Sequence, residues 1–187
     1  MSLDYISYFD DALDLDFCNI LIERFESSED DQKLTSLPDH RNFTEINNMN
    51  AGWTDVENLL LDKMEIYLKK YRDIFDIDAK IWPEQVGYEA FRMKRYLPNN
   101  IDDFKFHADV GDHASAKRFL VFFWYLNTVS EGGETAFYRG NANKEIMRVK
   151  PVAGRLLMFP PLWTHPHAGL KPISSAKYII GGYLHYV

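Results

Sequence analysis

The sequence predicts a mainly β protein, an antiparallel sandwich or barrel preceded by two amphipathic helices. After residue 84, about eight short apolar or alternating runs follow one another, separated by Gly, Pro or Asn. Before residue 80, apolar side chains recur instead at three- and four-residue steps. We therefore expect a single domain, 1–187, in which a helical region (1–80) supports a β core (84–187).

Two segments have helical periodicity. The first runs from Leu15 to Phe25, and Asp14 or Asp16 is a candidate N-cap. The second begins with Thr54 or Asp55 as the cap and is expected to end near residue 74. The polar stretch between them predicts a long connection with one short strand near 43–46.

The later segments have the period of strands. Residues 87–96 alternate, so Lys94 and Tyr96 are expected on one face and Met93 on the other. Residues 118–127 are nearly all apolar, which predicts a strand buried on both faces. The other strands are expected at 104–108, 134–138, 145–150, 155–159, 164–168 and 177–186.

Composition excludes several classes of function. The chain has 187 residues, of which 46% are apolar, and this is enough for a sizeable core. A net charge of −7 argues against nucleic-acid or membrane-surface binding, which needs clustered basic residues. No signal peptide or apolar run of about 18 residues is present, so we expect a cytoplasmic protein. The single Cys18 excludes an internal disulfide framework and is expected in the core.

One short motif has the composition of a metal site. His107 and Asp109 are two residues apart, so on an extended strand their side chains face the same way. His165 and His167 could each supply a third ligand. Two neutral imidazoles and one carboxylate with open positions are typical of non-haem Fe(II) centres. The other histidines, at positions 40, 113 and 185, are expected to be structural or exposed.

Several motifs together resemble a known superfamily, the Fe(II)/2-oxoglutarate-dependent dioxygenases, and within it the prolyl 4-hydroxylase branch. The resemblance covers residues 84–187. The motifs are His107-Ala108-Asp109, Tyr125-Leu126-Asn127, the segment Glu131–Phe137, the segment Lys150–Pro160, and His167 followed ten residues later by Lys177.

The resemblance implies a double-stranded β-helix, a cupin-like jelly roll of about eight core strands with two supporting helices. It implies His107, Asp109 and His167 as iron ligands, because the ten-residue step to Lys177 selects His167 over His165. Lys177 would bind the C5 carboxylate of 2-oxoglutarate. The resemblance also implies cosubstrate contacts from Tyr96 and Tyr125, and a substrate pocket that includes Arg118, His165, Tyr183 and Trp124. No catalytic residue beyond these metal and cosubstrate ligands is expected.

The resemblance implies hydroxylation of a prolyl residue in a peptide or protein, with release of succinate and CO2. The cofactors would be Fe(II), 2-oxoglutarate and O2, with ascorbate as a candidate reductant. One alternative is a hydroxylase of a free amino acid or other small molecule, and another is a non-catalytic cupin-like binding module. No nucleic-acid or membrane partner is expected, and both monomer and homodimer stay open.

Overall fold

The computed structural model describes residues 5–187, in which one antiparallel sheet of twelve strands packs against two helices. The helices are α1 (Leu15–Ser27) and α2 (Thr54–Ile74), and a short 3-10 helix spans Glu29–Asp31. The strands are β1 (Ser7–Phe9), β2 (Lys33–Leu37), β3 (Arg41–Asn47), β4 (Val86–Tyr88), β5 (Arg92–Tyr96), β6 (Asp103–His107), β7 (Arg118–Tyr125), β8 (Thr135–Tyr138), β9 (Glu145–Val149), β10 (Leu156–Phe159), β11 (His167–Gly169) and β12 (Lys177–Tyr186).

The strand order places sequence-distant segments side by side. It runs β1-β10-β7-β12-β5-β3-β6-β11-β8-β9, with β2 paired to β3 and β4 to β12. As a result, β6 lies beside β11, and His107 is the register partner of His167. On the other side of β3, Tyr96 of β5 is the register partner of Lys177 of β12. Two pairs of predicted site residues are therefore brought together by the sheet topology.

The two helices cover one face of the sheet. Phe25 of α1 and Leu60 of α2 belong to the same apolar cluster as Trp124 and Ile180 from the sheet. The opposite face of β7 contributes Tyr125 to a second cluster. The prediction that β7 is buried on both faces is thus confirmed, and the helix-free face is the one that holds the site.

The N-terminal cap follows the sequence expectation at α1 and departs from it at α2, whereas α2 ends at Ile74 as expected. The Asp14 carboxylate caps α1 by accepting hydrogen bonds from the amides of Asp16 (2.9 Å) and Phe17 (3.3 Å). In α2 the capping position is Trp53, which makes no side-chain cap. The expected cap at Thr54 or Asp55 is therefore wrong. The Asp55 carboxylate instead forms an ion pair with Arg24 of α1 at 2.8 Å.

The region before residue 80 also contributes strands to the sheet. The predicted strand near 43–46 is present as β3, and it lies centrally between β5 and β6. The hairpin partner β2 was not predicted. Its apolar Leu34 and Leu37 are exposed, so the segment lacks the buried alternation by which a strand is recognised.

The predicted strand over 87–96 is two strands. Chain pairing is interrupted between β4 and β5, where the Glu89 amide donates to the Tyr183 carbonyl at 3.0 Å and the Phe91 carbonyl accepts from Asn48 at 3.0 Å. The alternation within β5 is confirmed, because Met93 lies in the helix-side core whereas Lys94 and Tyr96 face the other side.

No helix in residues 5–187 combines the length and apolar character that a membrane crossing requires. Residues 1–4, part of the segment from which the absence of a signal peptide was predicted, lie outside the described residues.

Candidate metal centre and active-site cavity

The helix-free face of the sheet opens into a cavity of about 530 Å³. Its volume falls within the range of about 300–1,000 Å³ typical of ligand pockets. Strands β3, β5, β6, β7, β11 and β12 all contribute side chains to its wall. The cavity therefore lies on the inner face of the curled sheet and is lined by strands from both halves of the chain.

Three potential metal ligands meet in this cavity. One ligand atom from each of His107, Asp109 and His167 lies within 4.8 Å of the other two. The two rings approach to 4.3 Å between centroids, as expected for direct register partners on β6 and β11. Asp109 follows β6, and its amide donates to the Pro161 carbonyl at 3.1 Å. That bond fixes the chain where it leaves the strand.

The hydrogen bonds of the two imidazoles define their tautomers. Nδ1 of His107 lies 2.6 Å from the Lys105 carbonyl, and Nδ1 of His167 lies 3.1 Å from the His165 carbonyl. A carbonyl can only accept, so each Nδ1 carries the proton and each Nε2 presents a lone pair. The chain's own backbone therefore orients both rings as metal ligands.

Two buried lone-pair atoms in this cluster have no hydrogen-bond partner in residues 5–187 and could bind a cation. Nε2 of His107 and Oδ2 of Asp109 are buried and have no hydrogen-bond partner among the described residues. The Asp109 oxygens lie 3.4 Å from Nε2 of His107 and 3.4 Å from Nε2 of His167. Buried acceptors that face one another without a donor are costly. A divalent ion among them removes that cost, so the residues fit a metal.

Electrostatics keeps His167 and Asp109 in their ligating forms. Burial lowers the pKa of His167 to about 4, so the ring is neutral at physiological pH. Burial alone would raise the pKa of the Asp109 carboxyl, but His167, His107 and the Tyr183 hydroxyl together hold it below its usual range. Asp109 is therefore ionised.

Further contacts hold the Asp109 carboxylate in place. The Tyr183 hydroxyl donates to its Oδ1 at 2.8 Å, and Arg118 donates to its backbone carbonyl at 3.2 Å. Arg118 in turn lies 3.9 Å over the Tyr183 ring and forms a bidentate pair with Glu89 at 2.6 and 2.8 Å. The four residues form one connected network, which leaves Asp109 little freedom to rotate.

A buried lysine lies deeper in the cavity. The Lys177 side chain is 2% exposed, and its ammonium donates to the Gly133 carbonyl at 3.1 Å. The ammonium also lies 4.3 Å from the centre of the Tyr96 ring. Burial lowers the pKa of Lys177 to about 7. No carboxylate pairs with Lys177 among the described residues, so the cavity can accept an anion here.

Two hydroxyl groups line the same end. The Tyr125 hydroxyl lies 2.6 Å from Oγ1 of Thr135, and both residues line the cavity with Lys177. A Cβ on Gly169 would lie 3.6 Å from the Lys177 ammonium, so the glycine leaves space beside the charge. The arrangement provides one cation and two hydroxyls for a carboxylate.

Comparison with known proteins identifies this combination of sites. The 2OG-Fe(II) oxygenase superfamily matches residues 91–185, just over half of the chain. The chain belongs to that superfamily. The match includes the two histidines, the aspartate and the lysine described above. The protein is thus an oxygenase that uses Fe(II), 2-oxoglutarate and O2. The comparison with curated protein sequences found no match.

Solved structures establish the fold. A viral collagen prolyl hydroxylase from Paramecium bursaria Chlorella virus-1, in complex with 2-oxoglutarate, is 21% identical with a TM-score of 0.69, covering 99% of this chain and 98% of its own. A Pseudomonas putida prolyl-4-hydroxylase is 19% identical (TM-score 0.68, coverage 100% and 95%). A Trichoplax adhaerens prolyl hydroxylase, in complex with a hypoxia-inducible-factor peptide, is 17% identical (TM-score 0.68, coverage 98% and 84%). The expected jelly-roll fold with two supporting helices is therefore confirmed.

Eight of the ten predicted site residues of this oxygenase line the cavity. They are His107, Asp109, His167, Lys177, Tyr96, Tyr125, Arg118 and Tyr183. Trp124 lies elsewhere, fully buried in the helix-side core. Successive strand residues point to opposite faces, so Trp124 must face away from the cavity that Tyr125 lines. The expectation that Trp124 belongs to the substrate pocket is therefore wrong.

His165 also lies outside the main cavity. Residues 164–168 were expected to form a strand, but β11 begins at His167, and the His165 amide closes a turn onto the Leu162 carbonyl at 2.8 Å. The two histidines therefore do not share a face. His165 is buried against a separate small cavity, where its Nδ1 lies 2.8 Å from Oγ1 of Thr164.

The sequence interpretation missed several residues of the cavity wall. Phe104 stacks on the His107 ring at 3.6 Å and an angle of 9°. His40, expected to be structural or exposed, lies with its ring 6.0 Å from that of His107 and lines the cavity. Arg41 and Lys94 also line it. The alternation of β5 placed Lys94 on the face of Tyr96, and that signal was available from the sequence.

Proposed function

We propose that this oxygenase hydroxylates a prolyl residue in a peptide or protein, converting 2-oxoglutarate to succinate and CO2. The observation that carries the proposal is the convergence of His107, Asp109 and His167 in one cavity with the buried Lys177. A catalytic iron site needs open coordination positions, and three ligands on one side of an ion leave them.

In the proposed site, His107, Asp109 and His167 hold Fe(II). When bound, Fe(II) and 2-oxoglutarate supply the oxidising chemistry that places one oxygen atom of O2 into a C–H bond and splits the cosubstrate. The chain's part is to fix the ligands. The carbonyls of Lys105 and His165 hold the two rings through Nδ1. The Tyr183 hydroxyl holds the aspartate oxygen.

Lys177 is proposed to bind the C5 carboxylate of 2-oxoglutarate. Its ammonium is buried without a carboxylate partner, and a lysine acts in such a site as a point charge. Tyr96 and Tyr125, with Thr135, border the same space and can orient the cosubstrate. Because the anchor is buried, the bound cosubstrate is shielded from water, which strengthens the ion pair.

The substrate assignment draws on the structural relatives. The viral relative is described as a collagen prolyl hydroxylase, and the Trichoplax relative was solved with a peptide. Both share the fold of this chain over nearly its full length. A cavity of about 530 Å³ can admit a prolyl ring in addition to the cosubstrate.

A panel of proline-containing peptides and free amino acids tests this function. Each compound is incubated with Fe(II), 2-oxoglutarate and O2, and both succinate and a mass gain of one oxygen atom are measured. We expect a peptide to gain oxygen in proportion to succinate released. Oxygen gain confined to free amino acids would move the assignment to a small-molecule hydroxylase. Absence of any succinate would contradict the site itself.

A further inference from the structure

A second cationic feature lines the cavity beyond Lys177. Arg41 of β3 and Lys94 of β5, together called the cation pair, both belong to the cavity wall and are half-buried. The Lys94 ammonium lies 4.9 Å from the centre of the Phe43 ring and 5.9 Å from that of Phe104. The Arg41 guanidinium lies 5.7 Å from the same Phe104 ring. Phe104 therefore has both cations beside it.

The cation pair has no directly bound anion among the described residues. Neither side chain forms a hydrogen bond or ion pair with any residue in 5–187, and Nε of Arg41 is buried without a partner. The nearest candidate, Glu45, is the register partner of Lys94. Its carboxylate already binds Arg92 at 3.2 Å and the Thr35 hydroxyl at 2.8 Å. Glu45 and Asp109 attract Lys94 without forming an ion pair with it. The half-buried cations are therefore free to bind an anion directly.

Lys94 occupies a different position on the sheet from the cosubstrate anchor, although its charge helps to lower the pKa of Lys177. Lys94 is the register partner of Ile179, two residues beyond Lys177 along β12. The Phe43 ring lies 5.2 Å from the Tyr96 ring and 4.9 Å from the Lys94 ammonium. Phe104 links Lys94 to the metal centre, since its ring stacks on His107. Lys94 thus lies toward the metal, where a substrate must approach.

We propose that Arg41 and Lys94 bind a carboxylate of the substrate, so that this oxygenase acts on an anionic substrate whose carboxylate lies close to the hydroxylated carbon. This proposal rests on the proposed function and deepens it. The carboxylate has two candidate sources. One is an acidic residue next to the target prolyl residue, and the other is the free carboxylate of an unblocked amino acid. Phe104 and Phe43 supply the apolar surface on which the rest of the substrate packs.

Matched probe pairs distinguish these sources. The pairs are acetyl-Glu-Pro-Gly-amide with its Gln counterpart, acetyl-Pro-Glu-amide with its Gln counterpart, and L-proline with L-prolinamide. Dissociation constants are measured by calorimetry under argon on protein loaded with Fe(II) and 2-oxoglutarate. We expect at least one carboxylate probe to bind about tenfold or more tightly than its amide partner. The pair that shows the preference identifies the source.

Variants assign the preference to the cation pair. Lys94→Met and Arg41→Gln should each bring the ratio of dissociation constants close to one, while the affinity for 2-oxoglutarate stays within about twofold. Lys80→Met, which removes an exposed lysine outside the cavity wall, is the matched control and should keep the preference. Because Lys94→Met removes an unpaired charge and keeps the aliphatic stem, we expect it to fold.

Three outcomes would overturn the proposal. The first is that no carboxylate probe binds more tightly than its amide, and the second is that Lys94→Met keeps the preference. The third is that Lys94→Met weakens 2-oxoglutarate binding instead, which would make Lys94 a cosubstrate group. If the unaltered protein failed to bind 2-oxoglutarate, the proposed function would be contradicted, but the proposal about the cation pair would not. The probe pairs titrated into metal-free protein would then still decide for or against the cation pair.

Discussion

His107 and His167 are direct register partners on β6 and β11, with ring centroids 4.3 Å apart and each Nδ1 bonded to the carbonyl two residues earlier in the chain. The two Nε2 atoms consequently face the Asp109 carboxylate at 3.4 Å each. Antiparallel pairing thus makes two distant segments into one metal-binding surface.

His167→Ala should abolish iron binding, because it removes one of three ligands. His165→Ala should bind Fe(II) with an affinity within about threefold of the unaltered protein, since alanine retains the carbonyl that orients His167. Calorimetric titration with Fe(II) under argon measures both affinities. His113→Ala, at an exposed position, controls for loss of a histidine. Iron binding by His167→Ala with loss in His165→Ala would reverse the ligand assignment.

Tyr183→Phe removes the hydroxyl that donates to Asp109 Oδ1 at 2.8 Å. Metal affinity should fall about tenfold, in the range expected for a group that orients a ligand, while 2-oxoglutarate still binds. Tyr186→Phe on the same strand is exposed and provides the control. Equal metal affinities in the two variants would show that the hydroxyl does not position the carboxylate.

Lys177→Met should weaken 2-oxoglutarate binding by about a hundredfold or more, because a buried ion pair loses one member. Fe(II) affinity should change little, since Lys177 is not a proposed ligand. Equilibrium binding of 2-oxoglutarate to the anaerobic iron-loaded protein measures the first effect. If Lys177→Met bound the cosubstrate normally, Lys177 would not be its anchor.

The pH dependence of stability provides a separate test of Lys177. Its pKa falls from the ordinary 10.5 to about 7 on burial, so between these values the unfolded chain binds more protons than the folded one. The free energy of unfolding of the metal-free protein should therefore rise with pH from about 7 to 10, by at most about 1.4 kcal/mol per pH unit from this group. The cost of burying the charged lysine is fully present below pH 7.

Urea titrations of the unaltered protein and of Lys177→Met at several pH values measure this slope. The difference in unfolding free energy between them should favour Lys177→Met most at pH 7 and shrink as the pH rises. A difference that is constant across the window would mean that Lys177 keeps its ordinary pKa in the folded protein.

The central part of the site could be predicted from the sequence because it depends on spacing. His107, His167 and Lys177 occupy strand positions whose faces follow from local geometry, and Asp109 comes two residues after His107, just beyond the end of β6. The family resemblance supplied the pairing of these residues. The buried strand β7 was likewise visible as an apolar run. Its alternation could also have placed Trp124 on the helix side, opposite Tyr125.

Other features depend on contacts between distant segments. The cation pair forms because β3 pairs with both β5 and β6, and nothing in the local sequence of β3 indicates that position. His165 was misplaced because the turn that it closes onto Leu162 lacks a distinctive local signal. The cap of α2 was misjudged because Asp55 is bound by Arg24 of another helix. For the cation pair and the α2 cap, contacts between distant segments decided the outcome, whereas for His165 a local turn did.

The most direct test of the account is anaerobic addition of Fe(II) and 2-oxoglutarate to the folded protein, followed by visible absorption. Chelation of the cosubstrate at an iron held by His107, Asp109 and His167 should produce a weak charge-transfer band with one equivalent of each component. Asp109→Ala should give no band although it remains folded. Absence of the band in the unaltered protein, or its persistence in Asp109→Ala, would contradict the proposed site.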